Sequence, residues 1–564
     1  MKFSEMPYTR PDINILKQEL LSVKDMILTA KSAETAILAY KKAEELSMEY
    51  SSAASLCSVR HTIDTRDEFY EAENDFFDEN GPVVSDLLNG INRALLSSPF
   101  RSELEAELGE LLFINTEIAV RSFSSEIIEL AAEENRLQSE YQKLFASATV
   151  EWEGETIPLP MLGPYKQSPD REIRKKAFLL DAEFFDAHRE EFDALYDKLV
   201  KNRNRQARAL GYENYIKMGY DRLGRNCYGQ EEVAAFRREI ERFIVPMVER
   251  LREEQRERLG VERIHLYDNG ILFKDGNANP HPDADGIVAA GIRMYREMSE
   301  ETAEFIDFMS ENELWDLLSK EGKAPGGYCT EFMKYKAPFI FSNFNGTAAD
   351  VDVLTHEAGH AFAFFRAMRQ DILPSYCQPT IEACEVHSMS MEFLSEPWHE
   401  LFFGDDTAKY EYYHAADALA FLPYGCMVDE FQHLMYENEN LTPDERNEVW
   451  LSLEAKYRPY LDLSSLPFYS RGGGWQRQLH IYLYPLYYID YCMAGTVAFC
   501  FFAEALCDRK AAFGKYLRFV DGAGTKTFDA LVRDAGMTPP YEEGCLKKTA
   551  EIVEKWLSEQ IKKL

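Results

Sequence analysis

The chain has 564 residues, of which 46% are hydrophobic, so it can bury a large core without disulfide staples. Its 97 acidic residues outnumber its 62 basic residues, which gives a formal net charge of −35. Such a surface repels phosphate backbones and anionic lipid headgroups, and this argues against nucleic-acid and membrane partners.

Residues 1–145 are predicted to form an N-terminal helical lobe, because apolar residues recur there at helical spacing in charged surroundings. Breaks are expected near Gly81-Pro82 and near residues 97–99, where helix-breaking residues cluster. The N-terminal segment is charged and has no apolar signal-like stretch, and none of the ten cysteines lies in a C-x-x-C pair. We therefore expect reduced thiols and a cytoplasmic location.

Residues 146–564 are predicted to form the second domain. Alternating residues with an internal glycine favour a short hairpin at about 148–160, and amphipathic helices resume from 169. Between about 261 and 348, three short runs rich in β-branched and aromatic residues suggest a small sheet: IHLYDNGILF, GGYCTEFMKY and APFIFSNFNG. The apolar stretch 481–507 is interrupted by charges and a proline, which favours a buried core helix over a membrane span. The expected fold is mostly α with a small β-sheet.

The sharpest motif is the run His356-Glu357-Ala358-Gly359-His360. Helix positions i and i+4 lie on one face, so both imidazoles can reach one metal ion, and Glu357 is placed beside a bound water as a general base. A catalytic zinc site needs a third protein ligand and an open position. The candidates downstream are Glu382, Glu385, His387 and Glu392.

On one helix, Glu382, Glu385 and Glu392 would share a face, so that one carboxylate can ligate while a neighbour orients a ligand histidine. Solvated helix carboxylates are the alternative interpretation. Spacing alone does not choose between Glu382 and Glu385.

These segments resemble the thimet oligopeptidase and oligoendopeptidase F family of zinc metallopeptidases. In that family H-E-x-G-H precedes a D/E-x-x-E-x-x-S segment, which Glu382 to Ser388 match here, and Glu385 lies 25 residues past His360. The resemblance implies that Glu385 is the third ligand of one Zn²⁺ per chain and that Glu382 is a supporting carboxylate. His387 stands where the family has proline and is not expected to be a ligand.

Two further segments resemble the same family. FSNFNGT would be an edge strand whose backbone pairs with substrate, and a His/Tyr-rich segment contains His480, Tyr484, Tyr488 and Tyr491. One continuous helix would align the three tyrosine hydroxyls, with His480 one turn earlier. An aromatic core stripe is the alternative. We predict that His480, Tyr491 and Tyr484 are catalytic, as hydrogen-bond donors to a developing oxyanion.

The resemblance covers about 320–500, the expected zinc core of a catalytic domain spanning 146–564. It implies a two-lobed, helical, zincin-like metallopeptidase with a deep central cleft. The implied activity is endopeptidase cleavage of internal bonds in short unfolded peptides, by Glu-assisted attack of a zinc-bound water. The alternatives are a metallocarboxypeptidase, a silent peptide-binding protein and a structural zinc site, with cobalt or manganese as other metals. The sequence does not indicate the oligomeric state.

Overall fold

The computed structural model describes all 564 residues and is mostly helical, as expected, and it contains three small sheets. The N-terminal helices are α1 (Ile13–Leu28), α2 (Ala33–Ile63), α3 (Glu68–Leu96), α4 (Arg101–Leu108), α5 (Glu110–Arg121) and α6 (Ile128–Ala146). The middle helices are α7 (Gly163–Lys166), α8 (Arg171–Ala187), α9 (Arg189–Ala209), α10 (Tyr215–Arg222), α11 (Gln230–Glu239), α12 (Val245–Leu259), α13 (Ala284–Met298), α14 (Glu300–Glu311), α15 (Ala348–Ala367) and α16 (Ile381–Leu394). The C-terminal helices are α17 (Glu400–Phe403), α18 (Thr407–Glu437), α19 (Pro443–Tyr457), α20 (Pro467–Ser470), α21 (Leu479–Leu483), α22 (Tyr488–Cys507), α23 (Arg509–Asp521), α24 (Phe528–Asp534) and α25 (Lys547–Gln560).

The strands are short. They are β1 (Thr149–Trp152), β2 (Glu155–Pro158), β3 (Ile264–His265), β4 (Trp315–Leu318), β5 (Tyr328–Phe332), β6 (Ala337–Phe344) and β7 (Leu461–Asp462). The predicted hairpin is confirmed, because β1 and β2 pair in antiparallel fashion. Its turn residues Glu153 and Gly154 both have positive φ, which suits the twist of a two-residue hairpin.

The three-stranded sheet has the order β4-β6-β5, with β6 parallel to β4 and antiparallel to β5. Strand β6 contains most of the FSNFNGT run, so the expectation of an edge strand there is wrong. Nearly every residue of β6 is buried, which is typical of a strand paired on both sides. The edge strand next to it is β5. The IHLYDNGILF run was wrongly expected in this sheet, since only β3 is extended there and it pairs with β7.

The chain forms two compact units that alternate along the sequence. The first comprises Met1–Val120, Asn279–Thr407 and Val497–Met537, and the second comprises Arg121–Ala278, Ala408–Thr496 and Thr538–Leu564. The domain boundary expected near residue 145 stays a prediction.

Helix α3 runs through the predicted break at Gly81-Pro82, and the break after residue 96 is confirmed. Pro82 lies on an exposed turn, where it removes one backbone hydrogen bond. Val84, Ile91 and Leu95 are buried on the same helix, and their burial outweighs that loss.

Helix α22 is long and apolar enough to cross a membrane by length and composition alone, but 72% of its most apolar window is buried inside the protein. That burial is typical of a core helix, in agreement with the sequence-based expectation. The expected continuity of the helix back to residue 481 is wrong, because α21 ends at Leu483 and four residues separate it from α22.

Candidate active site

Two helices of the first unit bring the predicted metal ligands together. Helix α15 carries His356 and His360 one turn apart, and α16 carries Glu385. One ligand atom from each of the three side chains lies within 4.8 Å of the other two. The Oε2 atom of Glu385 is 3.4 Å from His356 Nε2 and 3.7 Å from His360 Nε2.

These separations fit a divalent metal ion. Ligand atoms about 2.1 Å from a tetrahedral zinc ion lie roughly 3.4 Å from one another. Two imidazole nitrogens and one carboxylate oxygen form the donor set of many catalytic zinc sites, which leave a fourth position open. The residues present therefore suit zinc.

Neighbouring groups fix the orientation of each ligand. Glu392 Oε1 lies 2.6 Å from His356 Nδ1, so the Nδ1 hydrogen points to Glu392 and the Nε2 lone pair points into the group. The His360 ring hydrogen-bonds to the backbone of Cys384. The Ser388 hydroxyl donates to Glu385 Oε2 at 3.2 Å. The sequence placed Glu392 among the carboxylates that could either bind the metal or orient a ligand histidine, and it indicated Ser388 only as a motif position.

A glycine allows the two helices to approach closely. A Cβ atom placed on Gly359 would lie 2.6 Å from Ser388 Cα and 2.7 Å from the His387 carbonyl oxygen. Both contacts are with backbone, which cannot move aside without shifting α16. The glycine inside the motif is therefore needed for the spacing between the paired histidines and Glu385.

The electrostatics of the group favour a cation. Although burial opposes charge on His356, its hydrogen bonds to Glu385 and Glu392 hold its pKa well above the usual range. Burial lowers the pKa of His360 to about 4. The carboxylates of Glu385 and Glu392 thus stabilise a positive charge at His356. A bound metal ion would supply that charge in place of the proton.

Glu357 lies on α15 between the two histidines. Burial raises the pKa of its carboxyl to about 7, His356 opposes that shift, and Glu385 and Glu392 add to it. The carboxylate accepts a backbone hydrogen bond from Cys329 on the edge strand β5. A carboxylate held in this way can exchange a proton near neutral pH, as a general base must.

The other candidates near the motif have structural surroundings. Glu382 is buried and accepts a hydrogen bond from the Thr380 hydroxyl at 2.9 Å. His387 is 2% exposed, packs edge-on against Phe519, and burial lowers its pKa to about 3. The Cys384 thiol faces the Pro379 carbonyl, and burial raises its pKa well above the usual range. Neither His387 nor Cys384 belongs to the metal-binding group, which agrees with the expectation that His387 is not a ligand.

The His/Tyr segment lies in the second unit. The predicted single helix is wrong: His480 is on α21, Tyr484 lies in the link, and Tyr488 and Tyr491 are on α22. Pro485 cannot donate the hydrogen bond that would continue α21. Tyr484 is 55% exposed and is not aligned with Tyr488 and Tyr491 on one helix.

Aromatic contacts nevertheless bring the segment together. The His480 ring centroid is 4.8 Å from that of Tyr488 and 6.4 Å from that of Tyr491. Tyr487, which was not among the predicted residues, stacks on His480 at 6.1 Å and meets Tyr491 edge-on at 4.9 Å. Helical spacing was the available signal, because even a continuous helix would place Tyr487, seven residues after His480, on nearly the same face as His480.

Hydrogen bonds define the tautomer of His480. The Tyr424 hydroxyl donates to Gln478 Oε1 at 2.7 Å, which turns the Gln478 amide nitrogen toward His480 Nδ1, 3.0 Å away. Nδ1 then accepts, so a neutral His480 carries its hydrogen on Nε2. Burial lowers the pKa of His480 and favours this neutral form. His480 can therefore donate one hydrogen bond from Nε2.

Comparison with known proteins agrees with these observations. Residues 164–551 match the model of peptidase family M3, and residues 3–123 match the peptidase M3 N-terminal domain. A structure of PZ peptidase A with an inhibitor is 48% identical over 99% of both chains, with a TM-score of 0.90. A putative oligoendopeptidase F from Bacillus anthracis strain Ames is 42% identical over 99% of this chain and 98% of that one, with a TM-score of 0.86.

A further relative is the oligoendopeptidase F homolog of Borreliella burgdorferi, which is 22% identical over 417 residues, or 69% of this chain and 67% of that protein. The helical fold and the two-histidine, one-carboxylate group define the class of the molecule, a metallo-type peptidase. The chain belongs to peptidase family M3.

Proposed function

We propose that this peptidase is a zinc-dependent endopeptidase that hydrolyses internal bonds of short unfolded peptides in the cytoplasm. The proposal depends on one observation: His356, His360 and Glu385 offer three ligand atoms within 4.8 Å, on helices that also position Glu357. Zinc bound there would polarise the scissile carbonyl and acidify the attacking water.

Glu357 is the general base in this proposal. Its carboxylate, oriented by the Cys329 backbone, takes a proton from the water as the water attacks the carbonyl carbon. The same carboxyl then returns the proton to the departing amide nitrogen. His356 keeps its orientation throughout, because Glu392 holds Nδ1.

His480 and Tyr491 are proposed to donate hydrogen bonds to the oxyanion that develops on the carbonyl oxygen. Neutral His480 has its donor on Nε2, and the Tyr491 hydroxyl is a second donor. Tyr484 is kept as a weaker candidate for the same role, since its side chain is more than half exposed.

The test is a digest of mixed peptides of about ten residues, a length that suits a site-sized cleft, followed by mass spectrometry of the products. Metal analysis of the same sample is expected to give one zinc ion per chain. Internal cuts that disappear in the Glu357→Gln variant would support the proposal.

Other products would identify the alternatives. Stepwise loss of single C-terminal residues would indicate a metallocarboxypeptidase, and tight peptide binding without any cleavage at saturating zinc would indicate a silent binding protein. Equal cleavage of a folded protein and a short peptide would contradict the restriction to unfolded peptides.

A further inference from the structure

The link between α21 and α22 has an unusual backbone. Leu486 adopts φ +66°, in the left-handed region, although it is not a glycine. Its side chain is fully buried, so the link cannot relax without exposing it. A leucine in the left-handed region is strained and persists only where the surroundings fix it.

Buried side chains fix both backbone polar groups of Leu486. Arg225 Nη2 donates to the Leu486 carbonyl at 2.6 Å, and the Leu486 N–H donates to Gln432 Oε1 at 2.9 Å. Gly219 leaves room for the leucine, because a Cβ atom there would lie 2.8 Å from Leu486 Cδ1. The conformation is therefore set by residues far away in sequence.

Arg225 also connects the link to helix α22. Its Nη2 and Nε atoms lie 2.8 and 3.2 Å from Oδ1 of Asp490, which also accepts from the Tyr228 hydroxyl at 3.1 Å. Arg225 and Asp490 are both fully buried. Asp490 immediately precedes Tyr491, so one guanidinium joins the Leu486 carbonyl to the first turn of the helix that carries Tyr491.

A second buried arginine holds the other side of the link. Arg203 donates to the carbonyls of Ile481 and Tyr482 at 3.3 and 2.5 Å, and its charge is balanced by Glu134 at 2.6 Å. Buried ion pairs of this kind contribute little net stability compared with apolar packing. Here two of them bind main-chain carbonyls, which specifies the path of the backbone.

We propose that Arg225, with Gln432, is a positioning residue of this peptidase: it fixes the left-handed link and so sets Tyr487 and Tyr491 against His480. The inference depends on the proposed roles of His480 and Tyr491 at the oxyanion. His480 precedes the link and Tyr491 follows it, and their rings lie 6.4 Å apart. A shift of the link therefore changes their mutual geometry directly.

The first test is Arg225→Lys, which keeps a positive charge beside Asp490. Lysine lacks the planar guanidinium that lets Arg225 contact Asp490 and the Leu486 carbonyl at the same time. We expect kcat to fall by ~100-fold, as for a displacement of about 1 Å in a catalytic group. KM should change by less than about threefold, since ground-state binding is not affected. Zinc content should be unchanged.

Arg174→Lys is the matched control. Arg174 is also buried, pairs with Asp268 and donates to the Tyr267 carbonyl, but it does not contact the link. Its kcat should stay within about threefold of wild type. Gln432→Met removes the other anchor of Leu486 without changing charge, and should lower kcat in the same way if Arg225→Lys folds poorly.

A double-mutant cycle separates positioning from general destabilisation. If Arg225 acts through Tyr491, the double variant Arg225→Lys/Tyr491→Phe should have a kcat within about threefold of that of Tyr491→Phe alone. If the two residues act independently, the two losses in kcat should multiply. Wild-type kcat in both Arg225→Lys and Gln432→Met, or multiplying losses, would overturn the inference. If variants of His480 and Tyr491 retain full activity, the proposed oxyanion roles are wrong. If those variants lose activity while Arg225→Lys and Gln432→Met do not, only the positioning role is wrong.

Discussion

The metal-binding helices and the His/Tyr segment reach their geometry in different ways. In the first, regular helix periodicity places His356 and His360 on one face of α15, and a glycine sets the distance to α16. In the second, an interrupted helix and a left-handed leucine bring His480 and Tyr491 together. Local regularity therefore encodes the metal-binding group, whereas buried side chains that are distant in sequence encode the conformation of the His/Tyr segment.

The largest effect is expected at the proposed general base, Glu357, which lies on the regular helix α15. Glu357→Gln should lower kcat by ~10³–10⁴-fold, because the amide cannot accept the proton from water. Metal analysis should still find zinc near one per chain, since the three ligands are intact. Wild-type turnover in this variant would remove Glu357 from the mechanism.

In the His/Tyr segment, Tyr491→Phe should lower kcat by ~100-fold through loss of one hydrogen-bond donor to the oxyanion, with KM nearly unchanged. Tyr484→Phe is the matched change at the exposed tyrosine of the link, and we expect less than about a tenfold loss there. Steady-state kinetics on one peptide measure both variants. A larger loss from Tyr484→Phe would reverse the assignment of the two tyrosines.

The sequence anticipated that His356, His360 and Glu385 lie together: helix spacing pairs the histidines, and the family resemblance selects Glu385 over Glu382. The i, i+4 histidines and the matching segment around Glu385 lie on uninterrupted helices, where spacing determines which side chains share a face. The supporting role of Glu392 could not be chosen from spacing, since Glu382, Glu385 and Glu392 were equally placed on that face. Only the packing of α15 on α16 distinguishes them.

The His/Tyr segment was predicted less well, because its conformation depends on contacts that are remote in sequence. Pro485 signals a break, but nothing local to Leu486 indicates a positive φ for a leucine. That conformation follows from Arg225 and Gln432, which are 261 and 54 positions away. Strand β6 is a similar case, since its central position follows from pairing with β4 as well as β5.

The choice between supporting carboxylates can be tested through metal affinity. Glu392→Gln should weaken zinc binding by ~10–100-fold, because His356 Nδ1 loses its charged partner. Glu382→Gln should have a smaller effect, since in this structure Glu382 accepts from Thr380. Competition with a chelator measures both affinities. A stronger effect from Glu382→Gln would assign the supporting role to Glu382, as the family resemblance implied.

The smallest expected effect concerns Glu331 on the edge strand β5. Burial raises the pKa of its carboxyl from 4.5 to about 7 in the folded chain. The folded state therefore binds the proton more tightly than the unfolded state, and stability declines as pH rises from about 4.5 to 7. Glu331→Gln removes this dependence and should stabilise the protein at pH 8 by about 1–3 kcal/mol, with little change at pH 4.

Thermal unfolding at the two pH values measures the effect. Glu321→Gln is the control, because the Glu321 side chain is 93% exposed and its replacement should matter at neither pH. Equal melting temperatures for wild type and Glu331→Gln at pH 8 would mean that water reaches the carboxylate on β5. Since β5 also donates the backbone hydrogen bond to Glu357, such a result would place the general base in a wetter environment than its burial indicates.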